Sequence, residues 1–206
     1  MKYEWRKKEK ELYIPSRVPQ VVEVPKQKFF VIEGKGNPND EDFAERIGVL
    51  YAVSYGIRMM PKSGFIPEGY FEYTVYPLEG IWGMTEEGKH SSIFRKEELI
   101  YRLMIRQPDF VNEDVAMKAL EITKQKKPHP LLKNITFEEI EDGLCVQMLH
   151  EGSFDEEPES FAKMMQFIEV HKLERHGSTH REIYLNDARK VEQSRLKTVL
   201  RYYCKI

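Results

Sequence analysis

The sequence predicts an α+β protein that contains two successive β-α-β-β units. Two observations predict this class. Short segments that alternate apolar and polar residues, as strands do, are interleaved with longer segments whose apolar residues recur every three or four positions, as in helices. The same strand and helix order occurs twice along the 206 residues. A hydrophobic content of 41% with 32% charged residues is ordinary for a folded globular chain of this length.

The first unit begins after a proline-containing segment. Three prolines in the first 25 residues favour an extended conformation there. Residues 28–33 (KFFVIE) then predict a strand, and a helix is predicted from Asp40, with Phe43, Ile47, Leu50 and Ser54 at helical spacing. Residues 56–67 are rich in glycine, proline and methionine and predict a loop. The unit is completed by two predicted strands, at residues 70–76 (YFEYTVY) and 100–105.

A helix over residues 112–126, capped by Asn112, is predicted to link the two units. The second unit then repeats the order. Its predicted elements are a strand at 144–150, a helix after Pro158 with Phe161, Met165, Ile168 and Leu173 on one face, and strands at 180–185 and 199–204.

The two units agree in spacing, which favours duplication. Gly34 is followed nine residues later by Phe43, and Gly152 is followed nine residues later by Phe161. We therefore predict one domain over residues 1–206, with pseudo-repeats at about 26–111 and 135–206. Each three-stranded unit with one helix leaves a sheet face uncovered, so a cleft between the units is the expected place for a small molecule.

Charge and hydropathy disfavour several classes of function. The formal net charge is −2, from 32 basic and 34 acidic residues, which disfavours binding to nucleic acid. No apolar stretch approaches the roughly 20 residues of a membrane span, and no apolar signal-peptide core is present. Cys145 and Cys204 lie in strand-like segments and are interpreted as buried thiols. We expect a cytoplasmic protein that does not bind membranes.

Several segments together resemble the GyrI-like family, which includes a DNA gyrase inhibitor and the effector-binding domains of multidrug-responsive transcription activators. The segments that carry this resemblance are 24–40 (VPKQKFFVIEGKGNPND), 50–62 (LYAVSYGIRMMPK), 73–83 (YTVYPLEGIWG), 105–111 (IRQPDFV), 146–158 (VQMLHEGSFDEEP) and 180–190 (HREIYLNDARK).

The resemblance implies a duplicated, SHS2-like β-α-β-β fold whose central groove binds planar or polycyclic compounds against aromatic side chains and a buried carboxylate. The position that matches this carboxylate is Glu182. The chain is similar to stand-alone members that act as cyclopropanoid cyclohydrolases, which open cyclopropane rings of DNA-alkylating natural products. It departs from the family pattern at Ala188, where a proline is usual, and at Tyr101, where a tryptophan is common.

Strand alternation places Glu182 and Tyr184 on one side of the predicted strand and Arg181 and Ile183 on the other. If helices cover the Ile183 side, Glu182 faces the groove. Desolvation there is expected to raise its pKa, which suits a counter-ion or a proton donor and acceptor. The alternative is that Glu182 pairs with Arg181, Arg201 or another surface charge. Tyr73 is the second predicted catalytic residue, with its hydroxyl bound to a substrate carbonyl.

Aromatic residues near predicted strand ends are the candidate ligand contacts, because aromatic faces attract planar and cationic ligands. Trp82 is the strongest candidate, since the Pro-Leu-Glu-Gly turn before it is expected to hold it at a strand end. For each of the others, ordinary core packing is the competing interpretation. They are Tyr51, Tyr55, Tyr76, Tyr101 and Tyr184.

Other constellations are weaker. His171, His176 and His180 lack a carboxylate or cysteine at ligand spacing, so a polar loop is the favoured interpretation and no metal or cofactor is predicted. The sequence leaves two functions open: an enzyme that detoxifies cyclopropane-bearing alkylators by hydrolysis, or a protein that binds or sequesters planar cationic drugs without chemistry. A gyrase-inhibitor role would need a docking surface, and no obligate protein partner is identifiable.

Overall fold

The computed structural model describes residues 2–206 and shows a mixed α+β protein. The helices are α1 (Trp5–Lys8), α2 (Lys10–Tyr13), α3 (Glu41–Met59), α4 (Glu86–His90), α5 (Glu113–Lys126) and α6 (Glu157–Val170). The strands are β1 (Gln20–Val24), β2 (Gln27–Lys35), β3 (Leu78–Met84), β4 (Leu99–Gln107), β5 (Thr136–Ile140), β6 (Gly143–Glu151), β7 (Glu174–Arg175), β8 (His180–Tyr184) and β9 (Lys197–Lys205). The order β2-α3-β3-β4 followed by β6-α6-β8-β9 confirms the predicted β-α-β-β order in both halves.

The chain folds into two compact units. The first unit contains residues 2–4, Gln27–Leu78 and Gly83–Ile140, and the second contains Trp5–Lys26, Glu79–Trp82 and Glu141–Ile206. Most of β3 therefore belongs with the second half of the chain, where it pairs with β8. Single-domain organisation and the repeat bounds 26–111 and 135–206 stay predictions.

The first unit has β2 at the centre of an antiparallel sheet. Phe30 of β2 lies opposite Ile105 of β4 on one side and Phe137 of β5 on the other. Helix α3 packs on β2 and β4 and against α5. Its buried residues include Leu50, Val53 and Ile57, which lie on one stripe because their spacing follows the helical period.

Helix α3 continues through the segment predicted as a loop from residue 56. A Cβ added at Gly56 would lie 3.2 Å from the Thr123 hydroxyl of α5, so the glycine lets the two helices approach closely. The helix ends at Met59, where a short 3-10 turn with Pro61 follows. As predicted, α5 is capped by Asn112, whose side chain accepts a hydrogen bond from the backbone N–H of Val115 at 2.9 Å.

The second unit is an antiparallel sheet in the order β1-β6-β9-β8-β3, with β7 paired to β9. Helix α6 covers one face, where Met164 and Ile168 pack against Val146, Met148 and Leu200. The opposite face buries Val22, Val24 and Cys145, with Leu12 of α2 packed against them.

Three other sequence predictions were wrong in whole or in part. Residues 70–76 form no strand; Tyr73 makes one isolated bridge to Tyr3, and the strand begins only after Pro77, which has no N–H to donate. The first 25 residues, predicted to be extended, contain two short helices, α1 and α2, and are a strand only at β1. Of the four residues predicted on the packed face of the second unit's helix, Phe161, Ile168 and Leu173 pack on the core, whereas Met165 is 41% exposed and Met164 is buried instead.

Within residues 2–206, the helices are too short or too polar to cross a lipid bilayer.

Candidate functional site

The predicted carboxylate Glu182 lies in the middle of β8 in the second unit. The two-residue period of the strand places His180, Glu182 and Tyr184 on one face. Antiparallel pairing sets Gly80 of β3 opposite Glu182 and Trp82 opposite His180. The side chains of His180, Glu182, Tyr184 and Trp82 thus lie together on two paired strands, next to the small Gly80.

A chain of short hydrogen bonds joins these side chains. The Trp82 indole Nε1 donates to the Tyr184 hydroxyl at 2.7 Å, and that hydroxyl donates to Glu182 Oε2 at 2.7 Å. The other carboxylate oxygen, Oε1, lies 2.8 Å from His180 Nε2. Burial and the adjacent Glu182 charge raise the pKa of Tyr184 well above its ordinary value, so its hydroxyl keeps its proton and remains a donor.

Gly80 makes this arrangement possible. A Cβ at this position would lie 2.8 Å from Trp82 Nε1 and 3.4 Å from the Tyr184 hydroxyl. Real side chains do not approach so closely, so any larger residue would displace the indole. The glycine is the reason why Trp82 can lie flat enough to reach Tyr184.

A second carboxyl group, that of Glu157, lies against Glu182. Glu157 is in the first turn of α6 and is 7% exposed, as is Glu182. Burial, together with the charge and hydrogen bond of Glu182, raises the pKa of Glu157 to about 10. At neutral pH this pair of carboxyl groups therefore holds one proton.

Aromatic rings pack against His180 and Tyr184, the two side chains that contact Glu182. The Phe161 ring contacts His180 edge-on, with 4.7 Å between ring centroids, and stacks on Tyr202 at 5.1 Å. Phe154 contacts Tyr184 edge-on at 6.1 Å and is 43% exposed. Apolar walls with a polar centre are typical of small-molecule sites.

The opposite face of β8 carries a buried ion network. Arg181 pairs with Glu79 and Asp142 at 2.7 Å each, and Arg201 bonds Gln147 at 2.9 Å. These groups are almost fully buried, so each charge needs its partners. Because Arg181 is occupied there, the alternative pairing of Glu182 with Arg181 is wrong.

Two expectations about this strand are corrected. Glu182 lies opposite Leu200, which packs under α6, so the helix covers the Glu182 side and not the Ile183 side. His180 belongs to β8 and binds Glu182, so the polar-loop interpretation of this histidine was wrong. Trp82 lies inside β3 and not after a turn at a strand end, because residues 78–81 are themselves part of the strand.

The structure brings three predicted site residues together: Glu182, Tyr184 and Trp82. The other five lie in the first unit. Tyr73 packs against Phe71 and Phe110, and its buried hydroxyl has no hydrogen-bond partner among residues 2–206.

The remaining four predicted tyrosines differ in exposure. Tyr76 and Tyr101 are buried, Tyr101 with its ring directly over Gly34. Tyr51 and Tyr55 lie on α3 with 6.3 Å between ring centroids, and Tyr55 is 45% exposed. For these residues ligand contact stays a prediction.

Sequence reasoning missed two residues of the cluster, Glu157 and His180. The alternation of β8 was the available signal for His180, since it lies two residues before Glu182. Glu157 offers no such signal, because an acidic residue before proline at a helix start is ordinary capping.

A polar recess elsewhere in the second unit is lined by Glu151, Asn186, Arg195 and Lys197, among others. Its lining is charged and solvated, and it contains none of the buried groups described above. The Glu182 cluster is therefore the better candidate site.

Fold and site together define a class of protein: an α+β small-molecule-binding domain with a buried carboxylate beside aromatic side chains. The sequence pattern of the GyrI-like small molecule binding domain matches residues 17–203, so the chain belongs to the GyrI-like family. No curated protein matches the chain.

Solved structures agree with this assignment. A Listeria innocua protein described as a hydrolase is 35% identical, with a TM-score of 0.91 over 100% of both chains. A Listeria innocua protein described as uncharacterized and conserved is 34% identical, with a TM-score of 0.91 over 99% of this chain and 100% of that one. The C-terminal domain of EcmrR is 15% identical, with a TM-score of 0.52 over 91% of this chain and 96% of that one, which shows likeness of fold alone.

Proposed function

We propose that this protein binds planar or polycyclic xenobiotics and hydrolyses cyclopropane-bearing DNA-alkylating compounds. The observation that carries the proposal is the buried Glu182 carboxylate, held by Tyr184 and His180 beside aromatic rings. The description of a 35% identical Listeria innocua protein as a hydrolase supports the enzymatic part.

The proposed reaction adds one water molecule to an activated cyclopropane ring that is conjugated to a carbonyl group. Water attacks a ring carbon, a C–O bond forms, and the ring C–C bond breaks. The electron pair moves to the carbonyl oxygen, which takes up a proton as the ring system becomes a phenol. Glu182 accepts the proton that the attacking water loses.

Trp82 and Tyr184 have positioning roles in this scheme. Their hydrogen bonds fix the orientation of the Glu182 carboxylate, and their rings offer faces for a planar ligand. Tyr73 as a donor to the substrate carbonyl, ligand contact by the tyrosines of the first unit, and a cytoplasmic location all stay predictions.

The experiment is to incubate the purified protein with a duocarmycin-type alkylator and to follow the ring-opened product by mass. Glu182→Gln and Trp82→Ala are expected to lose multiple turnovers, whereas Glu159→Gln, an exposed glutamate on α6, should keep them. Absence of turnover by the unaltered protein would refute hydrolysis of this substrate class.

A second function, binding without chemistry, is favoured by one observation. Glu182 already accepts hydrogen bonds from Tyr184 and from the proton shared with Glu157, and it contacts His180. A carboxylate so fully occupied is a good fixed counter-ion for a cation. Tight binding of the alkylator without ring opening would establish this function instead.

A further inference from the structure

The hydrolysis scheme gives no role to the Glu157 side chain, although it is the other carboxyl group of the cluster. It comes from a different element, helix α6, and is held in place by the start of that helix. Both carboxyl groups are 7% exposed. Two buried carboxyl groups that share a hydrogen bond do not both ionise at neutral pH, because their repulsion is poorly screened.

The side chains around Glu157 and Glu182 bear on whether these two carboxyl groups keep their shared proton. From β8, His180 and Tyr184 face Glu182, and from β3 the uncharged Trp82 reaches it through Tyr184. His150 of β6 faces α6 but is bound to the Ser160 hydroxyl at 2.9 Å and the Ser153 carbonyl at 2.9 Å.

The nearest arginines are occupied on the other face of the sheet. Arg181 pairs with Glu79 and Asp142, and Arg201 bonds Gln147. Among the groups described in residues 2–206, His180 Nε2, 2.8 Å from Glu182 Oε1, is thus the one placed to form an ion pair with Glu182 if its imidazole takes up a proton.

One carboxyl oxygen of Glu157 makes no hydrogen bond within residues 2–206. This oxygen, Oε1, is buried. A buried carboxyl oxygen without a partner is costly, and such groups concentrate where a ligand completes the bonding. Oε1 of Glu157 is therefore an unsatisfied oxygen near Glu182 that a polar group of a bound molecule would satisfy.

We propose that Glu157 is the general acid of the hydrolysis and Glu182 its paired base. Glu157 gives its proton to the substrate carbonyl oxygen as the cyclopropane C–C bond breaks. Glu182 takes a proton from the attacking water. The proton then crosses the hydrogen bond from Glu182 to Glu157, so that each turnover consumes one water molecule and restores the starting state.

This inference rests on the proposed function, and its test has two arms. The first needs no ligand: the infrared absorption of a protonated carboxylic acid is measured at pH 8 in the unaltered protein and in Glu157→Gln. We expect the acid band in the unaltered protein and in the control Glu159→Gln, and its loss in Glu157→Gln. An unaltered protein without the band would overturn the inference whether or not it turns over substrate.

The second arm measures kcat for a series of duocarmycin-type dienones whose ring-opened phenols differ in acidity. Glu157→Gln is expected to lower kcat by ~10²–10⁴-fold for the least acidic phenol, and less as the phenol becomes more acidic. An activated substrate needs less help from an acid, whereas a merely structural defect would lower every rate equally. An equal loss across the series would overturn the acid role.

The two failures are distinguishable. If the unaltered protein opens no ring, the hydrolase function and the acid role fall together, and the infrared band still reports whether the proton is shared. If the unaltered protein turns over and Glu157→Gln matches it, only the present inference is overturned.

Discussion

The raised pKa of Glu157 makes stability depend on pH in a calculable way. The group keeps its proton in the folded state up to a pH of about 10, whereas an unfolded glutamate loses it near pH 4.3. The contribution of protonated Glu157 to the stability of the fold is therefore complete below about pH 4.3. It is lost progressively as the pH rises toward 10, since folding must then take up a proton. Each rise of one pH unit in this window lowers the free energy of unfolding by about 1.4 kcal/mol.

Between pH 6 and pH 8, this group alone should lower the free energy of unfolding by about 2.7 kcal/mol. Glu157→Gln removes the titration, so the pH slope of the variant should be shallower by that amount. Urea unfolding of both proteins at pH 6, 7 and 8 measures the difference, and titrating groups that do not interact with Glu157 cancel because they are common to both. Glu159→Gln is the control for the loss of a glutamate from α6. Parallel slopes for the unaltered protein and Glu157→Gln would refute the shared proton.

Three further predictions concern the supports of the site. Gly80→Ala should displace the Trp82 indole, with changed tryptophan fluorescence and weakened binding of the alkylator; unchanged spectra would contradict the close contact. Arg181→Met leaves the buried Glu79 without its ion-pair partner and Asp142 with the more distant Arg201, at 3.6 Å, and should cost about 3–5 kcal/mol of unfolding free energy in urea; a loss below about 1 kcal/mol would show that the network adds little. Tyr73→Phe removes a buried hydroxyl that has no partner among the described residues, so thermal stability should hold while turnover falls. Full turnover by this variant would remove Tyr73 from the proposed mechanism.

Much of the fold was predictable from the sequence. The segments around Phe30, Met104 and Val146 are strands that bury one or both faces. Their pattern of apolar residues predicts both the strands and the buried faces. The strand predicted around Tyr73 was wrong for a physical reason. The segment alternates like a strand, but apart from one isolated bridge it pairs with no neighbouring strand among the described residues. Alternation indicates a capacity to pair, and pairing itself depends on a partner elsewhere in the chain.

The same distinction applies to the site. The two-residue period of β8 alone determined that Glu182 and Tyr184 share a face, and the resemblance to the GyrI-like family singled out Glu182 and Trp82. Only the tertiary structure decided that Trp82 reaches Tyr184, because that contact depends on the β3–β8 register and on the room left by Gly80. It also decided that α6 covers Glu182 and brings Glu157 against it. Local periodicity is a property of neighbouring residues and can be read along the chain. Register and helix placement depend on the packing of distant segments, and no short pattern records them.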